Sequence, residues 1–187
     1  QYECMGKGRQ PKTLADWKGL TVRALGGIAD AMRKLGTGIS TMTSSETYQA
    51  IDRGAVDAIS LPFSYAHAAF KIDEVSEWFT SNLSPGTNDC PNVISIAAWE
   101  KLPPQYQKLM MEAKELGYKV LKEAYAKADS VNLPKWRKRM AEIKYTKEEL
   151  AKFQEIGGKP VYDAWVEDNK GKFDSKALMD VMLKAAK

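Results

Sequence analysis

The residue best placed for chemistry is Arg23. It ends a short apolar run, Thr21-Val22-Arg23-Ala24-Leu25, and is followed at once by Gly26-Gly27 and a helical pattern. In an open α/β sheet, ligands collect at the carboxyl ends of strands. A guanidinium there offers a planar fork that fits a carboxylate in a bidentate pair. A helix opening beyond Gly26 and Gly27 adds unpaired N–H groups and the positive end of its dipole. The same residue also reads as a surface arginine paired to an acid, and the residues alone leave both readings open. Other chemistry is poorly supplied. Two cysteines, Cys4 and Cys90, cannot build a zinc site alone, and the single histidine, His67, leaves little material for metal catalysis or a Cys/His dyad. No nucleophile elbow, phosphate loop or paired carboxylates stand out.

The elements that must position Arg23 follow from periodicity. Thr21–Leu25 reads as a strand, Ile28 to Leu35 as a helix with Ile28, Ala31, Met32 and Leu35 on one face, and Gly36 as its C-terminal stop. Ile39 to Met42 reads as a second short strand. Thr47 to Arg53 is a helix, with Ser44 or Ser45 as N-cap and Gly54 as a left-handed stop. Ala55 to Leu61 is a third strand. This β-α-β-α-β alternation predicts a parallel sheet covered by helices, an α/β fold. The second half turns helical. Pro103 to Ala128 carries Leu109, Ala113, Leu116, Val120, Leu121 and Ala124 at the spacing of a buried stripe, and the Pro103-Pro104 pair suits its first turn. Thr146 to Glu149 reads as a capping box, and a last helix starts near Asp174-Ser175.

Composition narrows the class. The chain has 187 residues, 44% of them hydrophobic, with five Trp and eight Tyr, which is material for a packed core rather than for disorder. The net charge of +4 comes from 28 basic and 24 acidic residues interleaved along the helical half. The run Lys135-Trp136-Arg137-Lys138-Arg139 therefore reads as a solvated helix face, and no nucleic-acid partner is expected. No apolar run is long enough to span a bilayer. Gln1-Tyr2-Glu3-Cys4-Met5 is not a signal peptide and reads as the interior of something longer.

Four segments, in order, resemble the substrate-binding subunit of tripartite ATP-independent periplasmic (TRAP) transporters. Leu14-Ala15-Asp16-Trp17-Lys18-Gly19-Leu20-Thr21-Val22-Arg23 is similar to the family's L-x-D-L-K-G-L-K-I/V-R segment. Lys34-Leu35-Gly36 matches a helix ending in Leu-Gly. The most specific match runs from Met42 through Ser45-Glu46, Tyr48, Ala50-Ile51 and Gly54 to Val56-Asp57, and resembles M-x-x-S-E-x-Y-x-A-L-x-x-G-x-V-D. Trp99-Glu100-Lys101-Leu102-Pro103 is similar to W-x-x-L-P ahead of the long helix.

The resemblance implies a two-lobed periplasmic-binding-protein-like fold, represented here by its C-terminal portion. On that reading, residues 1–19 are the end of the first lobe and hinge entry. Residues 20–88 are the second α/β lobe, and 89–187 are a return strand, a long helix spanning both lobes and C-terminal helices. Family members are longer than this chain, so most of an N-terminal lobe would be missing. The implied function is capture of a small organic acid between two lobes in the periplasm and delivery to integral membrane permease subunits. No catalysis and no cofactor are expected. The family grips a substrate carboxylate with the arginine matching Arg23, with Gly26 and Gly27 at the adjoining helix start.

After Asp57 the chain departs from the family, carrying Ala58 and Leu61 where many relatives have Gly and some have a ligand-holding Asn. Ser60, Phe63 and Tyr65, with Ser64 and His67, are the replacements at hand. Phe63 and Tyr65 would supply an aromatic wall suited to a less polar acid, although each also reads as ordinary packing. The family also places the Cys4 and Cys90 segments near the strands linking the lobes, which leaves a disulfide and two unpaired thiols both open. Two rivals remain in view: an enzyme on a similar scaffold, and the effector lobe of a DNA-binding regulator.

Overall fold

The computed structural model describes residues 1–87 and 91–185. Six strands form one sheet in the order β3-β2-β4-β1-β5-β6. They are β1 (Tyr2–Gly6), β2 (Thr21–Arg23), β3 (Gly38–Ser40), β4 (Ala58–Pro62), β5 (Trp78–Thr80) and β6 (Ala141–Ile143). The strands expected around residues 21, 39 and 58 are present, and β2 runs parallel to β3 and β4. The sheet is mixed rather than parallel throughout, because β1 lies between β4 and β5 and runs antiparallel to both. Its five-residue ladder with β4, Tyr2 opposite Pro62 to Gly6 opposite Ala58, joins the N-terminal segment to the ladder that carries β2.

Side chains alternate across the pleat, so neighbouring residues feed two cores. Cys4, Val22, Ala58 and Trp78 point to one face, where they meet Trp17, Leu20, helix α1 (Gly26–Lys34) and Phe153. Met5, Ile59, Leu61 and Phe79 point to the other, where they meet helix α2 (Thr47–Asp52), Ile72 and Trp136. Helix α1 ends as expected: Gly36 sits at φ +79°, a conformation that glycine adopts without a Cβ clash. The start of the next helical segment differs from expectation. Its cap is Thr43, whose N–H and hydroxyl both donate to Glu46 Oε2 (2.9 and 2.6 Å), rather than Ser44 or Ser45.

Helices α3 (Tyr65–Ala69) and α4 (Ile72–Val75) lead to β5, and α5 (Ile96–Glu100) precedes α6 (Pro104–Arg137). The return strand expected at about 93–100 is not formed among the described residues. Residues 91–95 lie outside any strand and are exposed, and 96–100 are helical behind Ser95, whose Oγ accepts from Ala98 N–H (3.2 Å). A strand needs a partner ladder for its N–H and C=O groups, and no strand flanks these residues. Helix α6 is one unbroken element of 34 residues with Pro104 in its first turn, about 50 Å long at 1.5 Å per residue. Its expected buried stripe is uncovered within the chain: Leu109, Leu116, Val120 and Leu121 are all exposed, and only Trp136 is buried.

The remaining chain folds back on the sheet. The Thr146 capping box opens α7 (Lys147–Phe153), and a π-helical turn at Gln154–Gly158 leads to α8 (Lys159–Asp168) and α9 (Ser175–Ala185). Tyr145 ties this part to the first: its hydroxyl accepts from Trp17 Nε1 (2.9 Å) and donates to the Pro11 carbonyl (2.6 Å). Cys4 is a buried free thiol, pushed up in pKa by burial. Cys90 lies outside the described residues, and so does the bridge considered for it.

Candidate functional site

Arg23 occupies the last position of β2, where β3 and β4 run parallel beside it. The register of these strands is pinned at their start by Asp57, whose Oδ2 accepts from Thr21 N–H (2.7 Å) while its own N–H donates to the Thr21 carbonyl (2.8 Å). At the other end the Arg23 side chain is turned back into the protein and is only 3% exposed. Its Nε and Nη2 both donate to the Met42 carbonyl (3.1 and 3.0 Å), and Nη1 donates to the Ser60 carbonyl (3.2 Å). Nη2 also reaches Ser44 Oγ at 3.4 Å. Every acceptor is neutral. Among the described residues no carboxylate forms a salt bridge with Arg23. Burial accordingly lowers the guanidinium pKa from its usual value.

The other candidates separate into those the fold brings to Arg23 and those it does not. Ser60 is brought there by its backbone, since its carbonyl holds Nη1, whereas its hydroxyl lies beside the Cys4 thiol. Gly26 and Gly27 are exposed at the start of α1, three and four residues beyond Arg23. Gly26 adopts φ +53°, and a Cβ on Gly27 would stand 3.5 Å from Val161 of α8. Phe63 goes elsewhere: it is buried in the second core, with its ring 5.9 Å from Trp136, 6.1 Å from Phe79 and 6.1 Å from His67. Tyr65 is half exposed, and its ring packs against Tyr125 of α6 at 5.6 Å. The aromatic pair thus divides between a core and a helix contact. Met42 and Ser44 were not singled out as Arg23 contacts. Met42 acts through its carbonyl, which side-chain identity does not announce, and Ser44 read as a helix cap.

The residues of a type suited to nucleophilic chemistry lie apart. Cys4 belongs to the first core, while His67 packs against Phe63 and Trp136 on the opposite face of the sheet. Burial draws the His67 pKa down to about 4, so the imidazole is neutral at ordinary pH.

The fold is a mixed, helix-covered sheet with a buried arginine at the ends of its parallel strands, an α/β lobe. Residues 4–169 match the family model for bacterial extracellular solute-binding proteins, family 7, and the chain belongs to that family. A monocarboxylate 2-oxoacid-binding periplasmic protein of Nostoc sp. is 29% identical over 108 residues, covering 56% of this chain and 29% of the relative. A TRAP periplasmic solute binding protein from Rhodoferax ferrireducens with bound malonate superposes with a TM-score of 0.79 at 20% identity, over 98% of this chain and 59% of that one. Another from the same species, in complex with copurified benzoate, gives 0.74 at 22%, over 96% and 57%. These superpositions establish the two-lobed periplasmic solute-binding fold, of which this chain spans less than two thirds of the relatives' length. Among the described residues no helix is long and apolar enough to cross a membrane.

Proposed function

We propose that this chain is the ligand-gripping lobe and spanning helix of a periplasmic receptor for a small organic carboxylate, which it hands to a membrane permease. The observation that carries the reading is the buried Arg23 held only by neutral acceptors. A buried charge without a counter-ion is costly, so such groups are normally paired. Here the fold retains the cation at the end of β2, where an incoming carboxylate would complete the pair. The malonate and benzoate bound by the two Rhodoferax proteins, and the 2-oxo monocarboxylates named for the Nostoc relative, fit that chemistry. Gly26 and Gly27 open the neighbouring helix, and the Ser60 carbonyl fixes the guanidinium.

Binding rather than turnover suits this arrangement, because Cys4 and His67 are separated by the sheet. The remaining part of the intact protein supplies the opposing lobe. Closure excludes water and draws its energy from contacts made only in the closed state.

The test is calorimetric titration of the intact protein with pyruvate, malonate and benzoate. Arg23→Ala is expected to weaken the acid that binds by about 2–5 kcal/mol, or roughly 30- to several-thousand-fold. Arg23→Lys is also costly, because an ammonium cannot reproduce the planar fork. Equal affinity for wild type and Arg23→Ala removes Arg23 from the site.

A further inference from the structure

One face of α6 grips the loop that leaves β4. Tyr125, Asp129, Asn132 and Trp136 are spaced four, three and four residues apart and so lie on one side of the helix. Each meets the segment Phe63-Ser64-Tyr65 in turn. The Tyr125 ring packs on Tyr65 (5.6 Å), Asp129 Oδ1 accepts the Ser64 backbone N–H (3.1 Å), Asn132 Nδ2 donates to Ser64 Oγ (3.2 Å), and the Trp136 ring packs on Phe63 (5.9 Å). Ser64 is fully buried between them. This segment directly follows Pro62, the end of β4, and β4 supplies the Ser60 carbonyl that holds Arg23 Nη1. The N-terminal half of α6, by contrast, extends away from the sheet with its side chains exposed.

We infer that Asp129 is a positioning residue for the carboxylate site. Through Ser64 it fixes the end of β4 to the spanning helix, so that the setting of Arg23 depends on the setting of α6. The inference rests on the carboxylate reading above. It adds the path by which a movement of the helix against the lobe reaches the guanidinium. Asp129 and Asn132 act as a pair on the two polar groups of one serine, and an apolar contact on either side prevents the loop from rotating about that serine.

The experiment compares wild type, Asp129→Asn, Asp129→Ala and Asn132→Ala in the intact protein. It records the Arg23 Nε–H resonance by NMR and the affinity for pyruvate, malonate and benzoate. Asp129→Ala is expected to shift or broaden the Arg23 Nε–H signal and to weaken binding roughly 3- to 30-fold. Asp129→Asn keeps an acceptor oxygen and should restore both to within about twofold. Asn132→Ala should shift the same resonance in a folded protein, and it carries the test if Asp129→Ala does not fold. A purely structural role would lower the melting temperature and leave the Arg23 signal in place, which overturns the inference. Equal losses in Asp129→Asn and Asp129→Ala would overturn it too, because the acceptor would not be the operative group. If wild type binds none of the three acids, the carboxylate reading falls, and the Arg23 resonance alone decides whether Asp129 positions it.

Discussion

At the scale of single residues, the buried side chains of Arg23 and Glu3 differ in how their charge is held. Arg23 keeps its charge among neutral carbonyls. Glu3, on β1, is fully buried, and its carboxylate accepts from Thr80 Oγ1 (2.5 Å), Leu83 N–H (3.2 Å) and Ser84 N–H (3.1 Å). Burial outweighs those hydrogen bonds and pushes its pKa up to about 7. Because the folded pKa exceeds the unfolded one, the folded state retains a proton that the unfolded state releases between about pH 4.5 and 7. Glu3 therefore favours the fold most below that window and progressively less as the pH rises through it. Glu3→Gln mimics the protonated form. The expected result is that the urea midpoint of wild type falls relative to Glu3→Gln between pH 4.5 and 7.5, with the two curves parallel above about pH 8. A constant difference across the range would show that folding does not shift the Glu3 pKa.

At the scale of elements, the C-terminal helices are joined to the sheet by few but well-satisfied polar links. Tyr145 both accepts from Trp17 and donates to Pro11, and Asn82 exchanges two 2.9 Å hydrogen bonds with the Tyr145 backbone. Tyr145→Phe keeps the ring but leaves a buried indole N–H and a buried carbonyl without their partner. The expected cost is about 1–3 kcal/mol by denaturant unfolding, with the fold retained by circular dichroism. At the start of α7, Thr146 Oγ1 accepts from Glu149 N–H (3.2 Å) and Glu149 Oε2 accepts from Thr146 N–H (3.3 Å). Thr146→Ala removes the first of these and should cost about 1 kcal/mol. A Tyr145→Phe variant as stable as wild type would mean that the Trp17–Tyr145–Pro11 chain is replaced by water without penalty.

At the scale of the whole molecule, α6 is out of proportion to the lobe it leaves. Its exposed Leu109, Leu116, Val120 and Leu121 form an apolar stripe with no cover among the described residues. Contiguous apolar surface of this kind marks a place where another polypeptide packs, and this chain covers only 59% and 60% of the length of two solved relatives. Residues 1–187 by themselves are expected to bind a hydrophobic dye and to self-associate in sedimentation velocity, and the intact protein is expected to do neither. A monodisperse, dye-silent species of 187 residues would mean that the stripe is covered some other way. Leu116→Glu, in the middle of the stripe, should destabilise the intact protein by about 2 kcal/mol or more, through burial of an unpaired charge.

The sequence by itself determined what is local. Alternation and turn residues placed β2, β4, α1 and α2, Gly36 and Gly54 marked left-handed stops, and the heptad-like spacing after Pro103 gave one long helix. It also singled out Arg23, because a basic residue ending an apolar run before Gly-Gly needs no tertiary information to be noticed. The tertiary structure alone decided the rest. Tyr-Glu-Cys-Met-Gly carries too little pattern to read as a strand, and it becomes the central antiparallel strand only because β4 and β5 bracket it. Phe63 and Tyr65 are two residues apart and look alike in sequence. They diverge because one meets Trp136 and Phe79 in a core, and the other meets Tyr125 at the surface. The neutral cage around Arg23 is built from the carbonyls of Met42 and Ser60, 19 and 37 residues away. Backbone groups are the same in every residue, so no side-chain pattern could reveal which of them the fold would bring to that guanidinium.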